Sequence, residues 1–175
     1  MTNGLLLGMS LEAFTLVHVA ISLIGIATGL VAAFGLINNK LLKQWTAIFL
    51  VTTVLTSVTG LMFPFHAVTP GIILAVISLV VLLPTMLALF QFHLSGAWRW
   101  IYAAGAVAAL YFNVFVLIAQ SFQKIPALNA LAPHGNEPPF AIAQGVNLVL
   151  FVAIGVMAVR KFRPAAQKKA AAAAG

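Results

Sequence analysis

FAIAQGVNLVLFVAIGVMAVRKFR, residues 140–163, is an apolar run that ends in a cluster of basic residues. A helix needs about 20 mainly apolar residues to cross a bilayer, so the run predicts a membrane-spanning helix over residues 140–159. Loops that remain in the cytoplasm are rich in Lys and Arg. The basic end of this helix is therefore predicted to face the cytoplasm.

The composition of the whole chain is typical of a membrane protein. Hydrophobic residues make up 63% of the 175 residues, charged residues make up 6%, and the mean hydropathy is +1.12. Soluble domains carry about 25% charged residues. A chain with so few charges is therefore expected to border lipid. The length suits one helical bundle. We expect a single membrane domain over residues 1–163 and a disordered, basic, Ala-rich cytoplasmic tail over residues 164–175.

Four further apolar stretches precede residue 140, which predicts an all-α integral membrane protein built from a bundle of five transmembrane helices. Trp45 and Trp98 stand at the starts of the second and fourth stretches, as expected for aromatic anchors at a membrane interface. The predicted spans cover residues 13–37, 45–63, 71–91, 98–121 and 140–159.

The basic residues give the bundle an orientation. Eight of the nine lie in every second gap or after the last span, whereas the opposite gaps hold Lys124, Glu12 and Glu137. With five spans the termini lie on opposite sides, so we expect the N-terminus outside and the C-terminus in the cytoplasm. The eight residues are Lys40, Lys43, Arg99, Arg160, Lys161, Arg163, Lys168 and Lys169.

Several classes of function are disfavoured by what the sequence lacks. It contains no cysteine, which excludes disulfides and thiolate metal sites. It contains no GxSxG or HExxH motif, so no catalytic residue is predicted and an enzyme is not favoured. The net charge of +7 is explained by topology, and no nucleic-acid partner is expected.

Small residues and prolines predict local features of the bundle. Gly25 and Gly29 form a GxxxG motif, a surface for close helix contact or for association with a second copy or a membrane protein partner. Pro84 lies inside the third span and predicts a kink. In the loop before the last span, Pro126 is well placed to begin one or two helical turns that cap the outer end.

Polar side chains within the spans concentrate in the outer half. Asn113 and Gln120 are seven residues apart and predicted to share a face of the fourth helix, as are Gln144 and Asn147 on the fifth. Polar groups in lipid should pair, face the bundle interior or line a cavity. These four residues predict an outer ligand pocket, with mutual packing of the helices as the alternative.

Two histidines are the candidate cofactor residues. His18 lies in the outer half of the first span, and His66 lies just beyond the second. Imidazoles from adjacent helices ligate haem iron, copper or zinc. A single b-type haem is one interpretation, and a hydrogen-bonding or proton-handling role is another. A two-haem relay is disfavoured because His93 has no partner histidine on the inner side.

The stretches SLEAFTLVHVAISLIG, residues 10–25, TSVTGLMFPFH, residues 56–66, and residues 96–144 resemble a group of small, uncharacterised multi-pass inner-membrane proteins of bacteria. The resemblance implies a location in the bacterial inner membrane and no activity. The early histidine is more loosely similar to that of cytochrome b-type membrane proteins. Here, paired histidines on both sides of the membrane are missing.

The sequence thus predicts a membrane protein that binds a small ligand or cofactor in an outer-facing polar pocket, as an accessory to a redox or transport system. One alternative is a structural or assembly subunit of a membrane complex. Another is a small transporter or proton-coupled carrier, which would need a polar path through inner halves that are mostly apolar.

Overall fold

The computed structural model describes residues 6–64 and 69–164, and these residues form helices and connecting loops without a β-strand. Five of the helices are long and apolar enough to cross a membrane, which confirms the all-helical prediction. A π-helical segment, Leu87–Gln91, extends the third of them. The helices are α1 (Leu11–Ile37), α2 (Lys43–Met62), α3 (Pro70–Met86), α4 (Trp98–Lys124), α5 (Pro126–Asn129) and α6 (Pro138–Lys161).

Local sequence signals explain where several helices begin. The Ser10 hydroxyl accepts a hydrogen bond from the Ala13 N–H at 3.2 Å, and Thr69 plays the same part for Ile72 before α3. Prolines occupy the first turns of α3, α5 and α6, where their missing N–H has no intrahelical partner to lose. The predicted short helix at Pro126 is present as the single turn α5.

Helix α4 lies at the centre of the bundle. It contacts each of the other four long helices, whereas α6 packs mainly on α4 and secondarily on α1. Helices α1, α2, α3 and α4 each pack against the next along the chain, and α1 closes the group by contacting α4. Phe49 of α2 and Leu110 of α4 are almost completely buried in this interior.

Close helix contacts depend on small residues. A Cβ atom at Gly29 would lie 2.7 Å from side-chain atoms of Leu110 and Phe49, and one at Gly25 would lie 3.0 Å from the Thr52 hydroxyl. Both glycines are buried within the chain, between α1 and its neighbours α2 and α4. The GxxxG surface that the sequence offered for self-association is therefore used inside the bundle, and a second copy cannot reach it without opening these contacts.

The third helix changes its hydrogen-bonding pattern after its internal proline. Pro84 lies within α3, and the π-helical segment begins three residues later. Here the Phe92 N–H donates to the Leu87 carbonyl at 2.9 Å, a step of five residues. The irregularity that Pro84 predicts is thus accompanied by a π-helical turn at the end of the span.

The lateral surface of the bundle, formed by the sides of the helices that face away from its core, is strongly apolar. Side chains such as Val149, Phe34 and Ile142 are 71%, 67% and 65% exposed. Less than a quarter of the most apolar window of α3 is buried inside the protein, and for α6 the share is smaller still, at 17%. A surface of this kind is unfavourable in water and suits contact with hydrocarbon.

The two ends of the bundle differ in charge. Successive long helices run in opposite directions, so α2 and α4 begin, and α1 and α6 end, at one end of the bundle. This basic end carries six of the described basic residues: Lys40, Lys43, Arg99, Arg160, Lys161 and Arg163. The opposite end, called here the acidic end, carries Glu12, Lys124 and Glu137. Lys168 and Lys169, and the predicted tail from residue 165 onward, lie outside the described residues.

Arg99 ties the basic ends of α4 and α6 together. Its Nη1 atom donates hydrogen bonds to the Val159 and Phe162 carbonyls at the C-terminal end of α6. The last carbonyls of a helix lack intrahelical donors and carry partial negative charge, so a guanidinium satisfies and stabilises them. Asn39 adds a second connection, since its side-chain oxygen accepts from the Arg163 N–H.

Candidate functional site

The predicted polar residues lie at three different helix interfaces in the half of the bundle nearer the acidic end. His18 lies between α1 and α2, Asn113 between α4 and α2, and Gln144 between α6 and α4. Gln120 is exposed, and His66 lies outside the described residues. The structure therefore brings Gln144 and Asn147 together on α6 but does not gather the whole set around one point.

His18 is held by its neighbour on α2. Its Nδ1 atom lies 2.7 Å from the Thr59 hydroxyl oxygen. The single hydroxyl proton of Thr59 is donated to the Leu55 carbonyl, 2.6 Å away, so Thr59 accepts from His18 and the imidazole proton is assigned to Nδ1. Nε2 then carries the lone pair. The ring also packs edge-on against Phe63, with centroids 5.2 Å apart.

Asn113 forms a polar contact in the centre of the bundle. Its Nδ2 atom donates to the Thr53 hydroxyl at 3.2 Å, and both residues are buried. Side-chain hydrogen bonds of this kind join membrane helices and contribute about 0.6 kcal/mol on average, with larger values in some cases. Asn113 therefore has a direct structural role in joining α4 to α2.

Gln144 and Asn147 are one helical turn apart on the buried face of α6. The Gln144 Nε2 donates to the Phe115 carbonyl of α4 at 3.0 Å. The Gln144 Oε1 and the Asn147 Nδ2 are buried and have no hydrogen-bond partner among the described residues. Leaving a buried donor or acceptor unpaired costs about 1–3 kcal/mol each. These two atoms supply one acceptor and one donor that helix packing leaves unused.

The loop before α6 covers the acidic end of α4. The Asn129 side chain donates to the Phe122 carbonyl at 3.2 Å, and the rings of Phe122 and Phe140 pack edge-on with centroids 5.5 Å apart. Ala132 is buried at 2% exposure. The predicted cap over this end is thus formed by α5 and its following turn, close to the part of α6 that carries Gln144.

A separate groove of about 460 Å³ runs between α4 and α6 toward the basic end. Its walls are largely apolar, and it lies on the other side of Asn147 from the cap. This groove could not be predicted from the sequence, because apolar spans give no indication of which helices are neighbours. Its lining includes Ala104, Ala108 and Tyr111 of α4 and Gly155, Val159 and Arg160 of α6.

The described residues contain no group of three or more His, Asp or Glu side chains placed to hold a metal ion. His18 offers one nitrogen ligand, and a haem site would need its second axial ligand from elsewhere. The partner that the sequence suggests, His66, lies in the segment 65–68, outside the described residues.

The sites described above rest on their own geometry. Comparison of the chain with known protein families, with curated proteins and with solved structures finds no match.

Proposed function

We propose that the protein is a multi-pass protein of the bacterial inner membrane, with its N-terminus outside and its C-terminus in the cytoplasm. The support is the apolar surface of five long helices together with basic residues concentrated at one end of the bundle. Cytoplasmic loops retain Lys and Arg, so the basic end faces the cytoplasm and the acidic end faces outward. Gln144, Asn147 and His18 then lie in the outer half of the membrane.

The function proposed is the binding of a small polar ligand between α4 and α6 in this outer half. The observation that carries the proposal is the pair of unpaired buried amide atoms, Gln144 Oε1 and Asn147 Nδ2. Unpaired polar atoms are costly in a medium without water, and helix packing gives these two no partner among the described residues. A ligand with an acceptor oxygen next to an O–H or N–H donor would satisfy both.

The test compares two Gln→Leu substitutions in protein purified in a mild detergent. Leucine has nearly the volume of glutamine but no polar atoms, so Gln144→Leu removes the proposed contact. Gln120→Leu is the matched control, because Gln120 is exposed on α4. Native mass spectrometry should find a small molecule bound to the wild type and to Gln120→Leu, and its occupancy should fall at least about tenfold in Gln144→Leu and in Asn147→Leu.

Thermal unfolding in the same detergent separates binding from packing. Asn147→Leu removes an unpaired buried donor, so in ligand-free protein it should keep or raise the midpoint of unfolding. Wild-type protein without any bound molecule, together with Leu variants that are clearly less stable, would show that the amides only join helices. That result would end the ligand proposal.

A second candidate is a cofactor site at His18. The hydrogen bond to Thr59 fixes the ring and leaves the Nε2 lone pair, an arrangement typical of histidines that bind metal. A single b-type haem on the outer side would give a Soret band, with α and β bands after reduction by dithionite. His18→Ala should abolish these bands, whereas His93→Ala at the basic end should keep them. Protein that takes up no haem on reconstitution would exclude this candidate.

A further inference from the structure

The groove between α4 and α6 has the shape of a site for one extended hydrocarbon chain. Its lining includes the small residues Ala104, Ala108 and Gly155 together with the ring of Tyr111. Its volume of about 460 Å³ falls within the range of about 300–1,000 Å³ found for small-molecule sites. The walls expose mostly carbon atoms, so the matching part of a ligand is apolar.

The length of the groove matches one leaflet of a bilayer. Along α6 it extends from Arg160 to Leu148, which at 1.5 Å per residue is about 18 Å. The hydrocarbon core of a bilayer is about 30 Å thick, so one leaflet accounts for about 15 Å. Because Arg160 lies in the last turn of α6, the groove begins at the membrane surface and ends near the bilayer centre.

Arg160 lies at the basic end of the groove, and its charge has no partner in the part of the chain that the structure describes. The Arg160 side chain is exposed and makes no hydrogen bond or ion pair to another described residue. The two acidic residues of the sequence, Glu12 and Glu137, both belong to the acidic end. Arg99 is engaged with the carbonyls of Val159 and Phe162. Among the described residues, Arg160 therefore has no counter-charge and is available to an anionic group from the surroundings.

We propose that the groove binds an anionic phospholipid of the cytoplasmic leaflet, with one acyl chain between α4 and α6 and its phosphate at the Arg160 guanidinium. Arginine forms paired hydrogen bonds with phosphate oxygens, which gives this position an advantage over a general surface charge. The Arg99 contact fixes the C-terminal end of α6 against α4 and so sets the width of the mouth. The proposal rests on the proposed membrane insertion but not on the outer amide site.

The experiment titrates purified protein in a neutral detergent with phosphatidylglycerol or with phosphatidylcholine of the same acyl chains. Native mass spectrometry then counts the lipids bound. The first phosphatidylglycerol should bind about tenfold more tightly than phosphatidylcholine, and Arg160→Gln should remove most of this difference. Lys161→Gln is the matched control, since it removes the neighbouring charge outside the groove lining. It should change binding by about twofold or less.

A second pair of variants tests the acyl-chain half of the site. A Cβ atom at Gly155 would lie 3.7 Å from Val107, an ordinary contact, so Gly155→Leu can fill the groove without disrupting the backbone. It should weaken phosphatidylglycerol binding about tenfold. Gly145→Leu, on a part of α6 with open space around it, should leave binding unchanged. If Gly155→Leu fails to give a monodisperse protein, Gly155→Val replaces it.

Three results would overturn the proposal. Equal affinities for the two lipids would show that the net negative charge of the headgroup contributes nothing at Arg160. Equal losses for Arg160→Gln and Lys161→Gln would show diffuse surface attraction. Unchanged binding in the variant that fills the groove would show that the acyl chain lies elsewhere. Glycerol 3-phosphate should fail to compete, and competition by it would indicate a site for a free phosphate.

Discussion

The carboxylate of Glu137 accepts several hydrogen bonds in the loop before α6. Its Oε1 atom receives the His134 N–H at 3.0 Å and lies 2.9 Å from the His134 ring Nδ1, and Oε2 receives the Asn136 N–H at 3.1 Å. Desolvation acts to raise the pKa of Glu137, but the hydrogen bonds from His134, together with those from the backbone of Glu137 and Asn136, lower it to about 2. Bonds to the charged form favour that form.

This shift predicts how the loop responds to acid. The folded pKa is below the ordinary value of 4.5, so the stabilisation is present above pH 4.5 and is lost as the pH falls toward about 2. In lipid nanodiscs, the ¹³C signal of the Glu137 carboxyl should titrate with a midpoint near pH 2. His134→Ala removes the ring contact and should raise the midpoint. A wild-type midpoint near 4.5 would contradict the hydrogen-bonded loop.

The sequence predicts the burial of some polar side chains of the spans correctly and of others wrongly, because it does not show which helix covers each face. Asn113 and Gln144 are buried, whereas Gln120, which the seven-residue spacing predicts on the same face as Asn113, is exposed. Seven residues on a helix drift by about 20°, and burial of a face depends on which helix covers it. The sequence does not show which helix packs against a given face.

At the scale of the helices, α3 and α4 meet at an unusually close contact. A Cβ atom at Gly105 would lie 2.0 Å from the Thr85 hydroxyl oxygen, and Thr85 is completely buried. The Thr85 hydroxyl also donates to the Val81 carbonyl at 2.7 Å, which restrains its rotation. Gly105 thus permits a contact that no other residue type would allow without movement of a helix.

Gly105→Ala should therefore destabilise the protein by about 1–3 kcal/mol, since extra volume in a packed interior forces backbone shifts. Gly155→Ala is the control, because its Cβ would meet Val107 at an ordinary 3.7 Å. That change should be neutral or stabilising by up to about 1 kcal/mol through helix propensity. Unfolding of both variants in detergent, followed by circular dichroism, measures the difference. Equal stabilities would argue against the close α3–α4 contact.

The ends of the helices could be predicted closely from the sequence. The predicted span 98–121 corresponds to Trp98–Lys124, and 140–159 corresponds to Pro138–Lys161. Apolar length, proline and the Arg99 and Arg160 charges define these ends directly. The π-helical segment after Pro84 could not be predicted in the same way, because its pattern depends on how neighbouring helices accommodate the disturbed backbone.

For the molecule as a whole, the proposed orientation gives a direct labelling prediction. The chain contains no cysteine, so each introduced cysteine reports alone. Ala130→Cys lies in the exposed turn after α5, and Ser95→Cys lies in the exposed loop before α4. In intact cells, a membrane-impermeant maleimide should label Ala130→Cys and spare Ser95→Cys until the cells are lysed. The reverse pattern would place the N-terminus in the cytoplasm.

The arrangement of the helices was beyond the sequence for a physical reason. Every span is apolar on most of its circumference, so the pattern of apolar residues does not identify which helices pack against each other. The central position of α4 becomes visible only through contacts such as Thr53–Asn113 and Gly29–Leu110. The α4–α6 groove follows from that position, and so does the separation of the Gln144–Asn147 pair from the basic end of the groove.

In the contact between Arg99 of α4 and the end of α6, the two helices should differ in their tolerance to mutation. Both acceptors on α6 are main-chain oxygens, at Val159 and Phe162, and these oxygens are present whatever side chain the position carries. Substitution at Val159 therefore leaves the acceptor in place, while a change at Arg99 removes both bonds at once. In a mutational scan of this region, the substitutions that weaken this contact between α4 and α6 should therefore occur mainly at Arg99.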